Sequence, residues 1–532
     1  METADVLVIG AGPVGLTLAI DLGQRGVKVA LIERNEKPLF RPKMERCNAR
    51  TMEIFRRMGL ADTIRQASRF HDIPMDIRLI TRWDQPPLLH LEYPSIKRYR
   101  EQIAHCDDGS LPLEPYQIIS QYTLEPLLKS IAESMPEISV HSGQELTAFS
   151  QTSEGVTAET VAGDGTSRQF SGQYLVGCDG GVSTVRKGLN IALQGQGRIA
   201  RQNQLFFRSE QLFEAIPAGK GRHYYLLPDI VLVVQDDLRH FMVNTTTDLG
   251  PDPEQFLRQR LNLPVDIEML NVSGWNMNLL VAEHYGEERI FLAGDAVHLV
   301  IPNGGLGMNT GIGDAIDLSW KLAATLDGWG GPDLLPAYEH ERRPVGLFNR
   351  DAAGKATAGV RSWMSVCGPE ITEDTPEGKA NREEVAALAE TGQRITHEMN
   401  GVELGYRYIN SPIIFDEPGH TERQFIDYHP ISWPGSRIPH MWLSDGRPLQ
   451  DELGKGYSLL CLADGEDTTP MVNAMASLGA PLSVLRFDQP ALREVYQRDY
   501  LLLRPDLHVA WRGNTLPSDP EKVAARVTGN QL

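Results

Sequence analysis

The sequence predicts an α/β protein in which a β-rich unit interrupts a first, parallel-sheet unit, with a third unit at the end of the chain. Three observations carry this. Residues 5–9 (DVLVI), a glycine turn and a helical repeat open the chain; β-rich segments fill residues 200–280; and an apolar strand of the first kind (RIFLAGDAV) returns at 289–297. The first unit is therefore expected to be discontinuous in sequence.

The elements follow in order. Residues 5–9 are a continuous apolar run of the kind buried on both faces of a parallel sheet. After GAGPVG, Val14, Leu18 and Leu22 recur at helical spacing as far as Gly26, and residues 27–33 (VKVALIE) form a second strand, closing a β-α-β unit. Helices are predicted over 48–58, stopped at Gly59, and over 122–132. Residues 72–118, rich in Pro, Trp and charge, read as an excursion from the first sheet, and 139–173 hold short alternating segments. HYYLLP, IVLVVQ and HFMVNT are strands of a separate sheet. After 289–297 a glycine-rich loop enters a long helix through Trp320, Leu322 and Leu326; 370–400 is charged and helix-favouring; YSLLCLAD, SVLRF and YLLLRPDLHVAWRG indicate a third α/β unit. The expected division is 1–72, 116–190 and 285–395 for the first domain, 73–115 and 191–284 for the second, and 405–525 for an independent third.

Composition excludes several functions. Among 532 residues, 51 Lys and Arg face 70 Asp and Glu, a net charge of −19 that disfavours nucleic acid and anionic membrane surfaces as partners. Cys47, Cys106, Cys178, Cys367 and Cys461 are odd in number and never form CxxC, which argues against a disulfide framework and a zinc site, so no metal is expected. The N-terminus enters a strand without a leader-like stretch, and no apolar run is long enough to span a bilayer, so a cytoplasmic enzyme is expected.

Chemistry begins at Gly10, Gly12 and Gly15. This GxGxxG gives a tight turn, a close backbone approach to a pyrophosphate and close helix–strand packing. Pro13 suits the first helical turn, whose amides point at the phosphates. Glu33 closes the second strand, where a carboxylate accepts from a ribose diol, and Arg34 follows it. The motif alone does not separate NAD from FAD.

Two later segments do. GCDGGVSTVR (177–186) and the Gly294-Asp295 pair in FLAGDAVHLVIPNGGLGMNTGIGDA, together with the first motif, resemble the FAD-binding set of the para-hydroxybenzoate hydroxylase-like flavoprotein monooxygenases, over nearly the whole chain. The resemblance implies a Rossmann-like FAD domain and assigns Asp295 to the ribityl or ribose hydroxyls, and Asp179 and Arg186 to the region between FAD and the nicotinamide cofactor. It places Pro302, Gly305, Gly307, Met308 and Asn309 around the isoalloxazine, where helix-entry amides stabilise negative charge on the reduced flavin. Gln121, in an SQxxLExxL helix, is assigned to the polar edge of the flavin, and Lys43 or Arg46 to the basic position over the cofactor. His298 is expected to support the loop.

The same resemblance implies an enzyme that takes reducing equivalents from NADPH or NADH and hydroxylates a phenolic or other electron-rich aromatic small molecule through a flavin C4a-hydroperoxide. A phenolate reacts better than a phenol, so a base is expected. Glu45 stands at the position of the catalytic Asp in the phenol hydroxylase branch, and His223, Tyr224 and Tyr225 are pocket candidates on the β-rich insert, with Trp275, Asn276 and Asn278 in similar standing. The alternatives are a flavin halogenase, whose WxWxIP signature is absent, an epoxidase, or a non-catalytic flavin sensor. The tail resembles the thioredoxin-like domain of the phenol hydroxylase branch without CxxC, which implies a structural role or a homodimer contact.

Overall fold

The strand Val6–Ile9 is buried at every residue, as its unbroken VLVI run requires, and pairs in parallel with Val29–Glu33 on one side and Tyr174–Gly177 on the other. The computed structural model describes residues 1–419, 423–463 and 465–530. Around this strand the sheet adds Ile138–Ser142 beyond Val29–Glu33 and Ile290–Leu292 beyond Tyr174–Gly177, with a short antiparallel edge at Gly286–Glu287. The helix Pro13–Gln24 packs against this sheet and against the long helix Leu306–Leu326, whose Gly311 admits the contact: a Cβ there would stand 2.6 Å from Val14 Cγ2. Among the described residues no helix is long and apolar enough to cross a membrane.

The second sheet has seven strands, in the order Glu268–Asn276, Arg201–Arg208, His240–Thr245, Ile230–Val234, His223–Leu226, Ile77–Ile80 and Leu89–Leu91. The excursion at 72–118 thus supplies its last two strands, Ile77–Ile80 running parallel to His223–Leu226. One face closes over Leu205, Phe207, Tyr224, Leu232 and Phe241. Near the other end, Ile77, Leu79 and Leu91 are covered by Trp363 and by Val385 and Ala389. These belong to the helices Ala337–Met364, not anticipated from the sequence, and Pro376–Arg394.

The last sheet runs Leu482–Arg486, Tyr457–Cys461, Tyr500–Leu503, Val509–Gly513, with the first pair parallel and the rest antiparallel. With helices after the first, second and fourth strands in chain order, this is the thioredoxin-like topology. Cys461 is buried in it, and burial pushes its thiol up.

This unit is not independent of the rest. Trp320, Ala324, Ala337 and Val345 of the two long helices share one apolar cluster with Tyr457, Leu459, Tyr500 and Leu502. Arg504 meets Glu341 Oε1 at 2.5 Å, Asp317 Oδ1 at 2.9 Å and Asp506 Oδ2 at 2.6 Å, while Lys321 meets Asp317 and Glu341 at 2.6 Å each, all fully buried. Three carboxylates here face two cations, and burial pushes Asp317 up to about 8. Arg437 likewise holds Glu53 in a buried pair, Nε to Oε2 at 2.6 Å.

Removing one partner of such a pair leaves a buried charge uncompensated, at roughly 3–5 kcal/mol. Arg504→Met is therefore expected to destabilise the protein by about that amount. The loss is read as a lowered urea midpoint. A midpoint equal to the wild type's would refute the interlock.

Candidate active site

At the nucleotide turn two glycines are enforced by geometry. Gly10 has φ +103°, and a Cβ on it would meet Cys178 O at 2.5 Å; one on Gly15 would meet Gly10 O at 1.9 Å. Gly12 is open, with Glu125 Oε1, 3.8 Å from where its Cβ would be, as the nearest atom. Glu33 is aimed by its surroundings: Oε2 accepts from Ala11 N at 2.8 Å, and Oε1 from Asn35 N at 2.9 Å and Asn35 Nδ2 at 2.6 Å. Arg34 beside it is exposed.

Across the turn lies Asp295, paired with Lys43 Nζ at 2.6 Å. Burial acts to raise the Asp295 carboxyl, but the Lys43 ammonium overcomes this and holds it below its ordinary value. Lys43 is thus committed to Asp295, while Arg46 pairs with buried Glu403 and keeps its Nε beside the glycine loop, 3.6 Å from where a Gly305 Cβ would be. Asp179 and Arg186 hold backbone: Asp179 Oδ2 accepts from Thr184 N at 2.7 Å, capping a helix turn, and Arg186 donates to Ala296 O at 2.9 Å and Gly181 O at 3.4 Å. These two residues lock the DG and GD segments together.

The entry to the long helix is a double left-handed turn, Gly304 at φ +92° and Gly305 at φ +64°, closed by Gly305 N donating to Pro302 O at 2.8 Å. Gly307 and Met308 keep accessible surface in the first helical turn. Asn309 ties this entry to the strand Arg46–Cys47: its Nδ2 donates to Gly305 O at 2.6 Å and Arg46 O at 3.1 Å, and its Oδ1 accepts from Asn48 N at 2.9 Å. Gln121 begins a helix and donates to Glu125 Oε1 at 2.5 Å. Below the loop, fully buried Asp314 accepts from Gly294 N at 3.1 Å, His298 Nε2 at 2.9 Å and Arg342 Nε at 2.8 Å, so His298 supports the loop from underneath.

These features fit FAD. Gly12 leaves a close approach for a pyrophosphate, Glu33 and Asp295 offer carboxylates at the carboxyl ends of two parallel strands of one sheet, and the Gly304–Gly305 turn presents a helix N-terminus.

Beyond the loop, the β-rich sheet forms a wall. Both oxygens of Glu45 are engaged, Oε2 by Arg222 at 2.7 Å and Oε1 by Gln235 at 3.1 Å. Tyr224 points to the other face of the sheet, into its core, with its hydroxyl donating to Gly219 O at 2.7 Å. Tyr225 lies edge-on to Trp363, and its hydroxyl accepts from Gln393 at 2.9 Å. Asn276 is exposed on the edge strand that also carries Trp275, and Asn278 holds a turn by accepting from Arg198 N at 2.9 Å. His223 stays beside the wall, its ring 5.2 Å from that of His397. Sequence reading missed Arg222, His397, Glu125, Glu403 and Asp314. Only two left a local signal: Glu125 is the acid of SQxxLExxL, and Asp314 lies in a second Gly-Asp pair, in GIGDA.

Comparison with known proteins agrees with this geometry. Residues 3–351 match the FAD binding domain family, and 431–530 the aromatic-ring hydroxylase C-terminal family. The FAD-dependent monooxygenase apdD of Emericella nidulans is 31% identical over 99% of this chain and 91% of its own length. Aklavinone 12-hydroxylase DnrF of Streptomyces peucetius is 31% identical over 87% of this chain and 92% of its own length. Among solved structures, RebC with bound 7-carboxy-K252c superposes with a TM-score of 0.91 at 31% identity, covering 100% of both chains. Aklavinone-11 hydroxylase with FAD and aklavinone gives 0.82 at 28% identity, again covering 100% of both.

Burial pushes the Glu125 carboxyl up to about 7, against the hydrogen bond from Gln121. A phosphate at Gly12 favours its protonated form further, so ionisation above pH 7 works against binding. From pH 6 to pH 8 the FAD affinity of the apoprotein is expected to fall by about tenfold, while Glu125→Gln holds it level. Asp295→Ala is expected to yield largely flavin-free protein with an unchanged circular dichroism spectrum. Flavin fluorescence titration at the two pH values reads both, and a flat wild-type profile would refute the role given to Glu125.

Proposed function

The chain belongs to the FAD-dependent aromatic monooxygenases related to para-hydroxybenzoate hydroxylase, in the branch with a thioredoxin-like C-terminal domain, and we propose that it uses NAD(P)H and dioxygen to hydroxylate a phenolic ring. The observation that carries this is the placement of the Gly304–Gly305 helix entry, fit for a flavin edge, beside a wall that holds Arg222, His223 and His397. The names of the relatives, among them 4-methyl-5-nitrocatechol 5-monooxygenase and tetracenomycin B2 monooxygenase-dioxygenase, favour ring hydroxylation over halogenation, epoxidation or a sensor role.

When bound, FAD supplies hydride acceptance from NAD(P)H and activation of dioxygen for transfer of one oxygen atom. The chain orients it. Amides of the helix Pro13–Gln24 and the Gly12 backbone would hold the pyrophosphate, Glu33 the ribose diol, and Asp295 with Lys43 further hydroxyls of the cofactor. Free amides at the start of Leu306–Leu326 would hold the ring system's polar edge and would stabilise negative charge on it. Met399 and Leu306 pack together behind this entry and help exclude water. Glu45, with both oxygens engaged by Arg222 and Gln235, positions that guanidinium in the wall.

In solution, NAD(P)H oxidation by the holoenzyme is expected to accelerate on addition of the right phenol, with a product heavier by one oxygen atom. A panel of simple phenols, naphthols and polycyclic phenols, scored by flavin reduction rate and product mass, tests this. Oxidation indifferent to every phenol, with no oxygenated product, would overturn the hydroxylase reading.

A further inference from the structure

His223 and His397 approach one another from segments far apart in the chain. His223 begins the strand His223–Leu226, fixed by its amide donating to Asp76 O at 3.2 Å. His397 follows the helix Pro376–Arg394, its amide donating to Arg394 O at 2.9 Å. Their rings lie 5.2 Å apart at 60°, and Tyr93 lies 5.9 Å beyond His397. Two residues on, the Met399 sulfur packs against Gly304, at 2.9 Å from where a Cβ would be, so the pair borders the flavin-facing turn.

Neither imidazole has a hydrogen-bond partner among the described residues. His223 Nδ1 is buried and unpaired, and His397 makes no side-chain hydrogen bond or ion pair, although both rings lie deep and keep some accessible surface. Buried polar groups are ordinarily satisfied, so the unpaired His223 Nδ1, with the partner-free His397 ring beside it, marks a place for a polar ligand atom. The charged groups around them are largely matched. Arg222 is paired with Glu45 and Arg46 with Glu403, Arg46 keeping one unpartnered Nε, while Glu398 accepts from Tyr93 at 3.0 Å and Arg394 at 3.0 Å. The two rings add uncharged hydrogen-bonding capacity. Burial, followed by the Arg46 and Arg222 guanidiniums, pushes His397 down to about 3, and burial, followed by His397 and those guanidiniums, pushes His223 well below its ordinary value, so both rings stay neutral at working pH.

We propose that His223 and His397 jointly bind the ring hydroxyl of the aromatic substrate, one imidazole nitrogen accepting its O–H and the other imidazole donating N–H to its oxygen. The inference rests on the hydroxylase reading above and narrows its substrate class to phenols whose hydroxyl enters this pair. In turnover the phenol O–H bond breaks and its proton passes to the accepting nitrogen. The oxygen's electron pair moves toward the ring as the new ring C–O bond forms. Dioxygen is the oxidant: one atom enters the ring and the other leaves as water, with two electrons from NAD(P)H. An imidazole of low basicity suffices, because the phenol becomes strongly acidic once the ring is attacked.

The test is binding, with the holoenzyme and two fluorescent probes: 2-naphthol, and 2-methoxynaphthalene, which lacks the donor. A site built to pair a hydroxyl discriminates against an analogue without it. Wild type is expected to prefer 2-naphthol by at least about tenfold, a preference worth about 1.4 kcal/mol. His397→Phe, which keeps a ring of similar size, is expected to abolish the preference while leaving 2-methoxynaphthalene affinity unchanged. His397→Gln, able to donate and accept, is expected to restore part of it. His223→Phe gives a second, independent loss. Wild type that binds both probes alike, or neither, overturns the proposal, as does a His397→Phe protein that keeps the preference. A preference without phenol-stimulated NAD(P)H oxidation would instead sink the hydroxylase reading and leave the hydroxyl site standing.

Discussion

The carboxylate of Asp314 sits at zero exposure and accepts from three donors at once: the Gly294 amide, the His298 ring and the Arg342 guanidinium. Burial works to raise it, and Arg342 with His298 more than offsets that, so it stays ionised where an unpaired carboxylate would be intolerable. Each donor leads somewhere. Gly294 precedes Asp295 at the nucleotide site, His298 holds the strand entering the glycine loop, and Arg342 reaches on to Thr310 O at 3.0 Å and Tyr408 Oη at 3.2 Å. The strand end, the glycine loop and the long helix therefore share one anchor, and the relative position of Asp295 and the Gly304–Gly305 turn depends on it.

Helical spacing extends this anchor to the tail. Asp317 is one turn along from Asp314, and Glu341 adjoins Arg342 on the facing helix. Asp314 and Arg342 point at the nucleotide site, while Asp317 and Glu341 point at Arg504 of the thioredoxin-like unit. Two helices thus carry two ion clusters back to back, one serving the cofactor region and one the domain contact.

How much of this the sequence held depends on the range of each interaction. Strands and turns set by neighbours were legible: the VLVI run, the glycines that clash with anything larger, and Glu33 within a β-α-β unit. Order along the chain also placed Asp295 and the Pro302–Asn309 loop segment. Partner choice was not legible. Lys43 and Arg46 are three residues apart, yet one faces Asp295 and the other Glu403, which depends on how residues 400–404 fold back over the site. Strand alternation put His223 and Tyr225 on one face and Tyr224 on the other, a separation that period-two reading offers once the strand is fixed, but not which face meets the site. His397 carries no local signal at all, because only the packing of Pro376–Arg394 on the insert brings it to His223.

The short helix Ala49–Arg57 explains why a thioredoxin-like unit without CxxC belongs to such an enzyme. At its N-terminus, the Asn48 amide is held by Asn309 from the flavin-facing loop. Along its body, Glu53 is buried against Arg437, Arg50 donates to Asp506 O at 2.8 Å, and Arg56 meets Asp451 Oδ2 at 2.6 Å, all partners from the tail. Glu53 has no other way to be satisfied in full: burial raises its carboxyl and Arg437, ahead of Arg50, brings it down again. Without the tail this helix would lose the partners of Arg50, Glu53 and Arg56 and open to water the face that now forms the contact, and the strand Arg46–Cys47 just before it would lose that support. That strand delivers Arg46 to Glu403 and the Arg46 carbonyl to Asn309. The tail therefore supports the geometry of the site, holding from behind the segment to which the glycine loop is tied.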